Sequence, residues 1–314
     1  MKISGFTFVK NADKLYIPLK EAILSALPIC DEFIVAVGDN DEDDKTDEIL
    51  AEIKSNKLKI VRTVWDIAAF PENTEFARQT EIAKSHCTGD WLFYVQADEA
   101  VHEDDLPIIK QACEDNLDHL NVDGFVFDYY HFWGNYEHYH VSHAWYKKEI
   151  RIIRNDPSIH SWKDAQSFRR FDTWEGTFED FKKTEGSHKL KVKMIDAHFY
   201  HYGHVRPPKM MTKKRRSNAI SWHGTIPKHI LSFETVYDYG DLSKLVKFKG
   251  THPAVMKDWI AKFDWENQLR YTYKKTVRDL FKHEKLKYRF VSWIENNLNG
   301  NKVIGGFKNY IIIK

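Results

Sequence analysis

Over its first 117 residues the chain alternates short β-forming runs with stretches that carry a helical apolar stripe, and few architectures accept that order. Ile3–Val9 alternates as a strand does. Residues 12–27 place Leu15, Leu19, Ala22, Ile23 and Ala26 on one helical face, and Pro28 ends the helix. Glu32–Val37 is a continuous apolar run, the pattern of a parallel strand covered on both faces. A helix over 46–55 capped by Thr46, a strand over 58–64, a helix over 73–86, a strand over 91–96 and a helix over 103–117 complete the series. The expected fold class is α/β: a mostly parallel, Rossmann-like sheet flanked by helices. Such a sheet binds ligands beyond the carboxyl ends of its strands, here the loops after Val37 and Gln96.

After Asp123-Gly124 the pattern changes. Residues 125–133 and 149–154 read as longer strands around a loop dense in aromatics and histidines, followed by strands over 189–195 and 198–204. From Pro207 onward helices are expected at 209–220, 254–261 and 265–280. No internal repeat or low-complexity linker appears, so the division expected is a body of 1–205 and a basic, mainly helical C-terminal extension of 206–314. The net charge of +1 conceals an asymmetry: residues 205–314 hold 23 Lys and Arg against 9 Asp and Glu. Such a segment suits a nucleic acid, a phospholipid face or a phosphate-bearing substrate, or simply solvated helix faces.

With 42% hydrophobic and 30% charged residues the chain reads as globular. Apolar runs such as 91–95 are far too short to cross a bilayer. Met1-Lys2-Ile3-Ser4-Gly5 reads as a first strand rather than a leader, and three cysteines without zinc spacing point to a reducing, cytoplasmic compartment. The first strand is not followed by G-x-G-x-x-G, and neither a P-loop nor a G-x-S-x-G elbow occurs, which counts against dinucleotide, P-loop and α/β-hydrolase chemistry.

Three groups of residues are candidates for chemistry. The acidic loop of residues 38–47 offers carboxylates to a base imide or to ribose hydroxyls, and would equally suit a solvated helix N-terminus. Val95-Gln96-Ala97-Asp98-Glu99 ends an apolar strand in carboxylates. A buried acid there needs a cation or donors, and a divalent ion bridging to phosphates would serve; the competing role for Asp98 is a helix cap. The third group is Asp164, a candidate general base, with His198, His201 and His204 beside Arg206, which could reach a metal or a phosphate or be structural. Tyr129, Tyr130, Phe132, Trp133, Tyr136, Tyr139, Trp145 and Tyr146 could stack sugar faces, although period-2 spacing puts half or more of them in the core.

The order of the motifs is more informative than any one of them. Phe8-Val9-Lys10-Asn11 is followed by residues 31–39 (DEFIVAVGD), Asp44-Lys45-Thr46, Asn73 and Arg78, then residues 89–99 (GDWLFYVQADE). Arg151-Ile152-Ile153-Arg154, Ser161-Trp162-Lys163-Asp164-Ala165 and residues 198–203 (HFYHYG) complete the series. Over residues 1–205 it resembles the family 2 glycosyltransferases, whose nucleotide-sugar domain has the GT-A fold. The resemblance implies a hexosyltransferase-type activity in polysaccharide synthesis. A sugar would move from a UDP or GDP donor to a hydroxyl of a glycan or lipid-linked acceptor, with inversion, one carboxylate base and Mn2+ or Mg2+.

By the same resemblance Phe8, Lys10, Asn11, Asp39, Asp43, Asp44, Arg78, Gln96, Ala97 and Asp98 would contact the nucleotide-sugar, and Asp98 and His198 would hold the metal. Asp164 would be the base, with Asp172 and Glu175 as rivals; Glu99, His201, His204 and Arg206 are further candidates. Gln96 departs from the family, standing where the first acid of Asp-x-Asp is expected, so Glu99 or His198 would have to complete the metal sphere. The basic tail suggests peripheral contact with the inner membrane face, and no nucleic acid is expected. Two other readings stay open. A nucleotidyltransferase would want a glycine-rich loop after the first strand, and Val9-Lys10-Asn11-Ala12 has no glycine. A non-catalytic carbohydrate-binding relative would be consistent with Gln96.

Overall fold

The structure is a computed structural model that describes residues 1–225, 236–272, 278–300, 303–305 and 308–313. The expected alternation is present: β1 (Ile3–Val9), α1 (Leu19–Ala26), β2 (Glu32–Val37), α2 (Thr46–Ala51), β3 (Leu58–Arg62), α3 (Thr74–Ser85), β4 (Trp91–Tyr94), β5 (Glu99–Val101) and α4 (Leu106–Asp115). Strands β3-β2-β1-β4 pair in parallel. The unbroken apolar run of β2 has a direct cause. Phe33, Val35 and Val37 pack with Leu19 and Ile23 of α1, while Ile34 and Ala36 pack with Ala77 and Ala83 of α3.

The helix expected from residue 12 begins only at Leu19. The Ala12 amide donates to Thr46 Oγ1 at 2.8 Å and the Lys14 amide to Asp44 Oδ2 at 2.9 Å, so this segment's backbone is spent on the start of α2. Thr46 is the first residue of α2 rather than its cap, and its own amide donates to Asp44 Oδ1 at 2.8 Å.

The second half adds β6 (Gly124–Trp133), β7 (His138–His140), β8 (Lys148–Arg154), β9 (Ile159–Trp162), β10 (Ser167–Phe171), α5 (Phe178–Lys182), β11 (Ser187–His204), α6 (Pro208–His223), β12 (Val246–Lys247) and β13 (Tyr310–Ile312). The α/β sheet continues from β4 through antiparallel β8 to β6, β11, β10 and β9. The two strands expected at 189–195 and 198–204 are one long strand, β11, with register shifts against β6 between Met194 and His198 and between His201 and His204. Residues 236–272 pack on the body: Tyr239, Leu242, Met256, Trp265 and Leu269 share a buried cluster with Phe132, Trp133 and Tyr202. Of the helix expected over 265–280, Glu266–Gln268 is a single 3-10 turn, and 273–277 lie outside the described residues. The chain turns extended at Leu269, and the Arg270 carbonyl accepts from the Leu242 amide at 2.8 Å, so the turn does not continue as a helix. Helix Leu286–Asn297 follows. No helix among the described residues is long and apolar enough to cross a membrane.

Candidate active site

The carboxyl ends of β1 and β4 open onto a cavity of about 500 Å³, closed on its far side by α6. At one end Phe8, Trp65 and Phe76 form an aromatic wall, with ring centroids 5.4–6.0 Å apart. The chain after β2 must pass close to it. A Cβ on Gly38 would lie 2.5 Å from Trp65 Nε1, so glycine is required there. Lys10 Nζ is 2.8 Å from Asp39, whose other oxygen accepts from the Trp65 amide at 2.9 Å. Burial raises the Asp39 carboxyl, but Lys10 and the Trp65 amide together hold it below the ordinary value. Asn73 Oδ1 and Trp65 Nε1, both on this cavity, are buried without a hydrogen-bond partner.

Only Asp39 of the acidic loop approaches the cavity, through Lys10. Asp43 is 80% exposed and pairs with Lys14, while Asp44 is consumed at the start of α2. Asn11 lines the cavity but directs its side chain to the Asp41 amide at 2.8 Å. Arg78 lies outside it, on the Phe70 ring and 2.8 Å from buried Glu75.

At the other end Gln96, Ala97 and Asp98 meet α6 and β11. Asp98 is 15% exposed, and its Oδ2 is 2.9 Å from Lys214 Nζ and 3.2 Å from Arg206 Nη2. Burial alone would raise its carboxyl. Lys214 and Arg206 outweigh that and hold it well below the ordinary range. Burial, with Arg206 adding to it, lowers Lys214 to about 8 against the pull of Asp98. Arg206 is fully buried and also donates from Nε to the Tyr16 carbonyl at 3.0 Å.

The histidines divide by strand geometry. His198 lies on the opposite face of β11 from the cavity, stacked on Tyr130 at 4.9 Å, and does not meet Asp98. The register shift at residues 201–204 inserts an extra residue, so His201 and His204 both line the cavity. His131 Nε2 donates to the Tyr146 carbonyl at 2.7 Å and its Nδ1 meets His201 Nδ1 at 3.1 Å. Burial pushes both imidazoles down. In the neutral pair His201 donates from Nδ1 and presents Nε2 toward Asp98 Oδ1, 3.8 Å away. Gly203 makes this crossing possible: a Cβ there would lie 2.4 Å from His201 Nε2 and 2.8 Å from Asp98 Oδ2. His204 is half-buried and stacked on Trp133 at 4.8 Å.

Glu99 does not face the cavity's ligand space. It forms a fully buried two-point pair with Arg151, Nε–Oε2 and Nη2–Oε1 both at 2.9 Å, and accepts from Tyr129 Oη at 3.0 Å. Arg151 Nη1 reaches on to the Gln166 carbonyl at 2.9 Å, and Gln96 Nε2 donates to the Ala165 carbonyl at 3.2 Å. The turn that bears Asp98 is thereby tied to the turn that bears Asp164.

Asp164 lines the large cavity and also a second one of about 380 Å³ that is walled by Trp162, Trp222, Glu72 and Lys182. Burial raises its carboxyl above the ordinary value, partly offset by its own and the Gln166 amides. Its neighbours Lys163 and Ala165 both have left-handed backbones, φ 59° and 62°. Among the described residues the non-glycine positions with positive φ are Asn11, Tyr16, Glu72, Asn73, Lys163 and Ala165, and each borders a cavity, flanks Asp164 or holds Arg206. Strain of this kind persists where surrounding structure enforces it, and it clusters at functional sites. Asp172, paired with His188 at 2.9 Å, and Glu175 are exposed and line neither cavity.

Of the expected aromatics, Trp145 and Tyr146 line the large cavity, whereas Phe132, Trp133 and Tyr136 are core. Sequence reasoning gave no role to Lys214 or Trp222, and quoted Arg151 only as part of a motif. The signal for Lys214 was present: Lys214, Ser217, Asn218 and Ser221 recur at helical spacing and form the face of α6 on the cavity.

A scan against known families matches residues 11–176 to the one described as Glycosyl transferase family 2. A search of curated proteins finds no match. Among solved structures the chain is similar to S. aureus TarS, at 14% identity and a TM-score of 0.38, over 70% of this chain and 39% of that one. It is similar to S. aureus TarS 1-349 in complex with UDP-GlcNAc at 17% identity and TM-score 0.35, over 70% and 66% of the two chains. For the glucosyl-3-phosphoglycerate synthase of Mycobacterium tuberculosis in complex with Mn2+, UDP and phosphoglyceric acid the figures are 15%, 0.29, 41% and 43%. The match thus spans less than two thirds of the length of TarS.

Proposed function

The chain belongs to glycosyl transferase family 2, and from that premise we propose that it moves a hexosyl unit from a UDP- or GDP-sugar to a hydroxyl of a glycan or lipid-linked acceptor, with inversion. The observation that carries this reading is the position of Asp164, one carboxylate in the walls of two adjoining cavities. The larger cavity takes the donor and the smaller, with exposed Trp222 as a stacking surface, takes the acceptor.

Inversion is a single in-line displacement. The acceptor oxygen bonds to the anomeric carbon as Asp164 takes its proton, and the bond from that carbon to the diphosphate oxygen breaks with its electron pair. A positioned base contributes typically about 10²- to 10⁴-fold, and the burial that raises Asp164 strengthens it as a base. The nucleobase stacks on Phe8, Trp65 and Phe76, within reach of Asn73 Oδ1 and the Lys10–Asp39 pair.

Mn2+ or Mg2+ is the cation that the family resemblance brings, and Asp98 Oδ1 with His201 Nε2 is the pair placed to meet one. The rest of the donor set does not fit. Asp98 Oδ2 is held by two cations, Gln96 is neutral and bonded to Ala165, Glu99 is locked to Arg151, and His198 is on the other face. Among the described residues no three His, Cys, Asp or Glu side chains converge on a metal position. In this reading Lys214 on the cavity wall, backed by buried Arg206, supplies the positive charge that stabilises the departing diphosphate. The buried free thiols Cys30, Cys87 and Cys113 are in keeping with a reducing, cytoplasmic setting.

Titration of UDP and GDP with EDTA or Mn2+ present, together with turnover of Asp164→Asn, tests the reading. Expected are nucleotide binding in EDTA and a loss in turnover of about 10²-fold or more at unchanged nucleotide affinity. Absence of nucleotide binding under both conditions overturns the donor site. Binding only with Mn2+ returns the charge role to a metal.

A further inference from the structure

Helix Leu286–Asn297 is amphipathic in the reverse of the usual sense. Its polar side faces the protein: Ser292 Oγ accepts from the His143 amide at 2.8 Å, Glu295 meets His143 Nδ1 at 2.6 Å and Lys147 at 3.3 Å, and Asn296 bonds Lys147 at 3.0 Å. Its apolar side faces outward: Leu286 is 79% exposed, Phe290 64% and Trp293 54%, and Leu298 just past the helix end is 70% exposed. At 100° per residue, Leu286, Phe290 and Trp293 form one stripe. Lys287 flanks it on one side and Arg289 on the other, with Lys282 and Lys285 at the helix entrance. Of the nearby acids, Glu284 pairs with Arg278 at 2.7 Å and Glu295 is fully buried, which leaves exposed Asp279 against the four cations.

Singly exposed apolar side chains are ordinary, but an aromatic stripe held outward by a polar anchor is not. We propose that this helix docks the protein on an anionic lipid surface. Leu286, Phe290 and Trp293 enter the headgroup boundary while Lys282, Lys285, Lys287 and Arg289 meet lipid phosphates. This is the composition of an interfacial helix: bulky apolar residues bordered by long basic side chains that reach the headgroups. The basic balance of residues 205–314 favours a lipid surface over an uncharged partner. The docking also has a bearing on the catalytic site. The helix holds the 141–147 loop, whose Trp145 and Tyr146 form part of the larger cavity's wall, so docking bears on that wall.

Co-sedimentation of the full chain with vesicles of phosphatidylcholine, with and without phosphatidylglycerol, tests the proposal independently of any transferase activity. The wild type is expected to pellet with the anionic vesicles and to be released by salt. Phe290→Ser/Trp293→Ser and Lys287→Glu/Arg289→Glu are each expected to weaken binding by about tenfold or more. Both pairs are exposed, and circular dichroism checks that the variants remain folded. Equal pelleting of wild type and variants overturns the proposal. So does a wild type that stays in the supernatant, or one that forms a dimer in solution which Phe290→Ser/Trp293→Ser dissociates, since the stripe would then be a contact between copies.

Discussion

Replacing Arg151 with Met removes the cation from a pair whose two side chains are both fully buried. Glu99 loses two charge-assisted hydrogen bonds of 2.9 Å and keeps only Tyr129 Oη at 3.0 Å and the Gln96 amide at 3.2 Å. Two bonds to charged groups at about 1.5–3 kcal/mol each give roughly 3–6 kcal/mol, which agrees with the roughly 3–5 kcal/mol for breaking a buried ion pair from one side. At about 2 °C per kcal/mol, the low end of the range for large domains, Tm falls by roughly 6–10 °C. The double variant Glu99→Met/Arg151→Met removes both charges and should cost much less than the sum of the single changes. Urea unfolding of the four proteins measures the coupling, expected to exceed about 2 kcal/mol. A single-variant loss below about 1 kcal/mol, or additivity within about 0.5 kcal/mol, would refute the reasoning. Arg151→Lys keeps the charge but not the fork that also reaches the Gln166 carbonyl, so it should lower turnover more than stability.

Gly203→Ala places a methyl group within 2.4 Å of His201 Nε2 and 2.8 Å of Asp98 Oδ2. A cost of about 1–3 kcal/mol is expected, together with weakened nucleotide binding; urea unfolding and a nucleotide titration measure the two, and a variant unchanged in both would show that the crossing has room. Stability should also fall below pH 6.5. Burial lowers His252 and His283 from 6.5 to about 4, so the unfolded chain binds protons that the folded one excludes. Their stabilising contribution is present in full above pH 6.5 and is lost as pH falls toward 4, at about 1.4 kcal/mol per pH unit for each group. Urea unfolding at pH 7.5 and 5.5 should therefore differ by at least about 3 kcal/mol, because burial shifts His131, His140, His201 and His204 in the same direction, and equal stabilities would show that these imidazoles are charged in the fold.

Local periodicity was enough to read the α/β class, because a strand buried on both faces and a helix with one apolar stripe leave different marks over a few residues. β2 and α3 were legible for that reason. Asp98 was singled out because it ends an apolar strand where a sheet opens; Asp164, a lone carboxylate in a loop, gained weight only from the order of the motifs. The sequence could not say which acids of the 38–47 loop reach the cavity. Asp44 is spent on the Lys14 amide, 30 residues away, and on the Thr46 amide, and Asp43 on Lys14. Nor could it separate His198 from His201, since an inserted residue in β11 decides which side chains share a face, and that register exists only against β6. Lys214 lies 116 residues from Asp98 in the chain and Arg151 52 residues from Glu99. Pairings at such separations follow from how the sheet is ordered and how α6 packs back across its edge. The charges gathered around Asp98 at one end of the cavity were therefore settled by tertiary structure, while the elements that frame the cavity were written in the local pattern of the chain.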